Sequence, residues 1–167
     1  MKRILFIGRF QPFHLGHLSV VKEIIGKCDE LILAIGSAEK SHKDINPFTS
    51  KERTEMILEA IKAENIPLSK IRIIPISDIN NDAKWVNHVQ LLTPEFNVVY
   101  TGAELTKELF EKAGIEVKPV KFVYGIDATT IRNAVIKGQN WKGLVHPKVA
   151  EYLEKIDGIE RIKKSNK

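Results

Sequence analysis

Two histidines three residues apart, His14 and His17, close the stretch Gly8-Arg9-Phe10-Gln11-Pro12-Phe13-His14-Leu15-Gly16-His17, which follows a short apolar run. Imidazoles change protonation near neutral pH, and at i and i+3 in a first helical turn both face the same side. A helix start leaves backbone N–H groups unpaired and carries about half a positive charge, which together favour a phosphate. Arg9 adds a cation, and Gly16 lacks a Cβ, so a phosphate or the next strand could approach the backbone closely. The chemistry this permits is the cradling of a triphosphate. The plainer reading is a pair of structural histidines, one capping and one packed. Zinc is a third reading, but it prefers further His, Cys or carboxylate ligands, and no convincing set stands nearby. The Gly-x-Gly-x-x-Gly spacing of a dinucleotide-binding loop is absent.

Such a loop needs a strand before it and a helix after it. Nearly continuous apolar runs predict strands at Arg3 to Ile7, Leu31 to Ile35, Ile71 to Pro75 and Asn97 to Tyr100, with a weaker one near Ile115 to Val117. Amphipathic stretches predict helices at Leu15 to Lys27, Ser50 to Glu64, Ala83 to Leu92 and Glu104 to Ala113. Thr49 and Glu52 have the spacing of a capping box at the start of the second. Strand and helix in alternation imply right-handed βαβ units. The expected fold is therefore α/β: a single domain with a Rossmann-like parallel sheet of about five strands, covered by helices on both faces. In such sheets ligands bind beyond the carboxyl ends of the strands, which places the loop after Ile7 in the site.

The 167 residues fit one core, with 43% hydrophobic and 28% charged residues, an ordinary soluble composition. No apolar run approaches the roughly 20 residues that span a bilayer, and the lone Cys28 forms no internal disulfide. A cytoplasmic location is expected. The net charge of +5 invites a nucleic-acid partner. Much of the excess, however, sits in Arg161-Ile162-Lys163-Lys164-Ser165-Asn166-Lys167, so that residues 159–167 read as a solvated basic tail and nucleic acid is disfavoured.

Gly8 to His17 resembles the signature of the HxGH nucleotidyltransferase superfamily, specifically the archaeal-type nicotinamide-nucleotide adenylyltransferases. Three further stretches agree in order. They are Ile35 to His42 with Asn46-Pro47-Phe48-Thr49 and Glu52-Arg53; Pro75 to Ile79 with Trp85-Val86; and Asp127-Ala128-Thr129-Thr130-Ile131-Arg132, in the place of an ISxTxxR motif. The resemblance implies transfer of AMP from ATP to nicotinamide mononucleotide, giving NAD and pyrophosphate, with Mg²⁺ and without a covalent protein intermediate. It implies His14, His17 and Arg132 as catalytic residues. For ATP it implies Gly8, Arg9, Phe10, Gly16, Gly102 and Thr129 beside those three, and for the mononucleotide Ser37, Lys40, His42, Asp78 and Trp85. A ring-like homo-oligomer such as a hexamer is also implied.

Several positions keep two readings. A helical Trp85 is more often core than ligand platform, although its ring could stack on a pyridinium. Arg132 alone would be an ordinary surface arginine. His42 falls in the ligand-side loop, whereas His88 reads as facing solvent or helix packing. The chain departs from the family at Asp127, where a Ser is usual, and at Ala103 and Asp82, where Asn is frequent. Asp127 could cap a helix, repel a triphosphate or help recruit Mg²⁺. An adenylyl- or cytidylyltransferase acting on a flavin- or pantetheine-type phosphate would share the first loop without needing Trp85, and the basic tail and these departures leave room for nucleotide or RNA binding without turnover.

Overall fold

The computed structural model describes residues 1–120, 122 and 125–165. Five strands form one sheet: β1 (Arg3–Gly8), β2 (Glu30–Ile35), β3 (Ile71–Pro75), β4 (Val98–Thr101) and β5 (Val117–Pro119). The helices are α1 (Leu15–Ile25), α2 (Ser50–Ala63), α3 (Asp82–Leu92), α4 (Glu104–Lys112), α5 (Ala128–Ile136), α6 (Pro147–Lys155) and α7 (Gly158–Ser165). Every strand pair is parallel and the order is β3-β2-β1-β4-β5, so the winding reverses at β1. The register sets Gly8 beside Ile35 and Ile7 beside Thr101, which brings the loops leaving β1, β2 and β4 to one edge. A crevice between β1 and β4 follows from that reversal.

Side chains alternate across each strand. Ile4, Phe6, Leu31 and Leu33 pack with α1, α2, α5, α6 and α7 on one face, and Leu5, Ile7, Ile32 and Val99 with α3 and α4 on the other. The expected α/β sheet with helices on both faces is the one observed. Only β1, β2 and β4 are covered throughout, however. β3 and β5 are edge strands with Arg72, Pro75, Lys118 and Pro119 exposed. Among the described residues no helix is long and apolar enough to cross a membrane.

Two strand expectations shift. The run Ile115 to Val117 becomes Val117–Pro119, because the Ile115 amide donates to the Phe110 carbonyl at 3.0 Å and finishes α4 through Gly114 at φ +76°. Asn97 precedes β4; its side chain accepts from the Arg3 N–H at 2.8 Å and locks the start of β1.

The basic tail is not a tail over most of its length. Gly158–Ser165 is helix α7, with Ile162 only 2% exposed. Arg161 donates to Glu52 at 2.7 Å and to the Pro47 carbonyl at 3.4 Å. The charged residues mask an amphipathic pattern whose apolar side completes the core; Asn166 and Lys167 lie outside the described residues.

Candidate active site

The loop leaving β1 turns into α1 through a reciprocal cap. Nδ1 of His14 accepts the backbone N–H of His17 at 3.3 Å, and Nδ1 of His17 accepts that of His14 at 3.2 Å. A ring nitrogen that accepts carries no proton, so this network assigns both neutral imidazoles the Nε2–H tautomer. The rings stack with centroids 3.5 Å apart. Burial lowers His14 to about 4, partly opposed by the negative charge of Asp127. Burial, and then the neighbouring His14, hold His17 well below the usual range. The pair is uncharged at neutral pH and presents N–H donors.

Gly16 packs under aromatic rings. A Cβ there would lie 2.9 Å from the His14 ring and 2.9 Å from Phe122, so the absent side chain makes room for these rings. Phe122 meets both imidazoles edge-on, at 5.0 Å and 5.1 Å, and also fills the space beside Gly102. Phe10, buried in left-handed backbone at φ +53°, packs against His17 at 4.8 Å and closes the other side.

Arg132 reaches the same place from α5. The residue is 6% exposed, and its guanidinium donates to the Gln11 carbonyl at 2.9 Å and the Thr129 hydroxyl at 3.3 Å. Gln11 is fixed in turn by the Phe48 backbone, donating and accepting at 2.9 Å each. Asp127 is the N-cap of α5, its carboxylate accepting the Thr130 N–H at 2.7 Å.

These groups line one cleft of about 510 Å³. The structure brings into it Gly8, Arg9, Phe10, His14, His17, Gly102, Thr129 and Arg132, together with Ser37, Asp78, Trp85 and Asp127. Ser37 and Lys40 donate to the Asp78 carboxylate at 2.9 Å and 2.6 Å. Burial raises that carboxyl, but the bonds from Lys40 and Ser37 outweigh it and hold it below its ordinary value. Trp85 fits both of its readings. One edge packs on Phe110, with centroids 5.6 Å apart, while the residue also lines the cleft and a side lobe of about 260 Å³ beyond Asp78.

Three residues of the expected set do not line the cleft. Gly16 lies beneath the rings, and Lys40 borders the cleft through Asp78. His42 is set apart: exposed, at φ +55°, it bonds Ser41 at 3.0 Å and faces Asp157, Arg161 and Lys164 at α7. His88 holds the Ser77 carbonyl at 3.1 Å. Sequence reasoning did not mention Phe122, and it named Gln11 and Arg53 only inside family-like stretches, with no role of their own. Their contacts join segments far apart in the chain, and no spacing marks them.

Among the described residues no three His, Cys, Asp or Glu side chains come together to hold a metal ion. Among the described residues, Asp127 and Asp78 are the carboxylates that line the cleft.

Residues 5–134 match the cytidylyltransferase-like family. A nicotinamide-nucleotide adenylyltransferase of Methanococcus aeolicus is 47% identical over 166 residues, spanning 98% of this chain and 95% of that protein. One of Methanolobus tindarius is 42% identical, spanning 100% and 96%. Among solved structures, a Francisella tularensis bifunctional NMN adenylyltransferase/ADP ribose pyrophosphatase, complexed with AMP and a manganese ion, superposes with a TM-score of 0.79 at 24% identity. That match covers 98% of this chain and 51% of the bifunctional one, so the chain spans about half its length, and at that identity the likeness is one of fold. With the family model covering most of the chain and near full-length relatives above 40% identity, the fold and the sequence agree that the chain belongs to the cytidylyltransferase-like family.

Proposed function

We propose that the chain transfers the AMP part of ATP to nicotinamide mononucleotide, giving NAD and pyrophosphate. One observation carries the reading: two uncharged Nε2–H imidazoles at the start of α1 and the Arg132 guanidinium at the start of α5 line one cleft, which runs on past Asp78 to Trp85. The names of the full-length relatives support it.

In this reading the triphosphate lies across the two helix starts, where unpaired N–H groups and the helix dipoles favour anions. A phosphate oxygen of the mononucleotide attacks the α-phosphorus. The new P–O bond forms as the bond to the β-phosphate oxygen breaks, and the leaving pyrophosphate takes the negative charge. No side chain needs to form a covalent bond. His14 and His17 donate through Nε2 to the phosphate oxygens on which charge builds, and Arg9 and Arg132 hold the phosphates through charge. Donors already held in place by their own caps need no reorganisation during the step. Arg132 and Thr129 are assigned to the β- and γ-phosphates. Trp85 supplies an aromatic face for the pyridinium, and Asp78, braced by Ser37 and Lys40, accepts from ribose hydroxyls. Mg²⁺, held by the triphosphate, would neutralise phosphate charge.

The test is incubation of the protein with ATP, Mg²⁺ and one candidate acceptor at a time, scored by pyrophosphate release and by NAD formed. Turnover with nicotinamide mononucleotide supports the reading. Turnover only with a flavin or pantetheine phosphate would replace the acceptor, and ATP binding without turnover would remove the enzyme.

A further inference from the structure

Beneath the cleft, on α2, the side chain of Arg53 is 0% exposed. Its bonds all go to backbone carbonyls: Nη1 to Arg9 at 2.8 Å and to Gly36 at 2.8 Å, Nη2 to Ser37 at 3.1 Å, and Nε to Thr49 at 3.2 Å. Burial pushes the guanidinium down to about 10, against the attraction of Glu39. Keeping a cation in such a place is costly unless its donors are satisfied by well-placed acceptors. Here four of the five N–H groups that an arginine offers have them.

Three of the four acceptors share a property. Arg9 precedes Phe10, at φ +53°, and Ser37 itself stands at φ +48°. Left-handed backbone at a residue with a side chain is strained and persists only where the surroundings hold it. Both strained residues line the cleft, one on the loop leaving β1 and one on the loop leaving β2. The two loops touch directly through the Gly36 N–H and the Gly8 carbonyl at 2.9 Å. Arg53 ties them a second time from below.

We propose that Arg53 is a positioning residue for the nucleotide cleft: by gripping the Arg9 to Phe10 turn and the Gly36 to Ser37 turn together, it sets the distance between the phosphate-facing first loop and the Ser37–Asp78 pair. The inference rests on the cleft being the substrate site. A lysine at the same place keeps the charge but has no planar fork, so it cannot reach the same carbonyls.

Arg53→Lys and Arg53→Met are compared with Met56→Ala, which empties a fully buried position on the same helix. ATP affinity is read by calorimetry without an acceptor, and KM and kcat with both substrates at 25 °C. Arg53→Lys is expected to bind ATP about tenfold more weakly, the effect of roughly one charge-assisted hydrogen bond. Its KM for the mononucleotide rises as well, and kcat falls by about 10² if the turns move by about 1 Å. Met56→Ala loses thermal stability and keeps its affinities. Wild-type affinity in Arg53→Lys, or the same loss in Met56→Ala, overturns the proposal. Should the Arg53 variants not fold, amide exchange of the wild-type protein decides: the Gly36 amide exchanges as slowly as those of β2 if the turns are clamped, and the speed of an open loop overturns the clamp. The two readings part on the wild type, where ATP binding without turnover defeats the proposed function while the ATP affinity of Arg53→Lys decides this one.

Discussion

His14 and His17 cap each other, each Nδ1 accepting the other's backbone N–H, at 3.3 Å and 3.2 Å, and that exchange fixes the protonation state of both rings. Protonation of either Nδ1 would turn an acceptor into a donor facing a donor, so the cap and burial act in the same direction. In the folded chain His14 titrates near 4 and His17 well below the usual range, whereas both would take up a proton near 6.5 when unfolded. The unfolded chain therefore binds more protons between about 6.5 and 4, and stability falls as pH falls through that window. Above 6.5 the two states bind equally and the dependence from this pair vanishes. Thermal melts of the ligand-free protein from pH 8 to pH 4.5 should show the loss beginning below 6.5 and becoming smaller in His14→Gln; a melting temperature flat over that window would contradict the neutral pair.

His17→Ala removes one of the two Nε2 donors and half of the cap. Because the donor acts on charge that develops during the step, kcat should fall by about 10² to 10³ while KM for ATP changes much less. The lost cap should cost about 1 kcal/mol in stability. Steady-state rates of a folded variant check this, and normal turnover would take His17 out of the chemistry.

Trp85 touches Phe110 on one side and the cleft on the other, so its two roles separate by substitution. Trp85→Ala should raise KM for the pyridine mononucleotide by the equivalent of about 1 to 2 kcal/mol and leave that for ATP nearly unchanged. Its melting temperature should drop as well, because the contact with Phe110 is lost. Trp85→Phe should regain most of the stability. Equal rises in both KM values would mark Trp85 as a folding residue alone.

Asp127 already accepts the Thr130 N–H at 2.7 Å, which favours the cap over a metal ligand. A carboxylate about 4 Å from a phosphate oxygen is unfavourable by roughly 1 kcal/mol in water and about 4 kcal/mol at an effective dielectric of 20. Serine caps equally well without the charge. Asp127→Ser is therefore expected to tighten ATP binding, retain turnover and melt within a few degrees of wild type. Loss of turnover together with a raised Mg²⁺ requirement would move Asp127 into the metal site.

The sequence by itself determined what depends on neighbours along the chain. The Thr49–Glu52 capping box and the apolar strand runs are contacts or periodicities within a few residues, where spacing dictates geometry; the same short range made a capping histidine and an Asp127 cap two of the readings, and the bonds His14 and His17 exchange and the Thr130 N–H on Asp127 chose among them. Tertiary structure decided the rest, because it depends on which strand lies beside which. Parallel order β3-β2-β1-β4-β5 is what brings Gln11 to Phe48, Arg53 to Arg9 and Arg132 to Gln11 across separations of 37, 44 and 121 residues. It also turned a basic terminal run into α7, since Ile162 has a core to enter only after α5 and α6 are in place. The same packing gave Gly16 its purpose, since the rings that need the space come from His14 within the loop and from Phe122 more than a hundred residues away. His42, in a loop that sequence assigns to the ligand side, was carried instead toward α7, because the direction in which a loop leaves a strand is set by what it packs on.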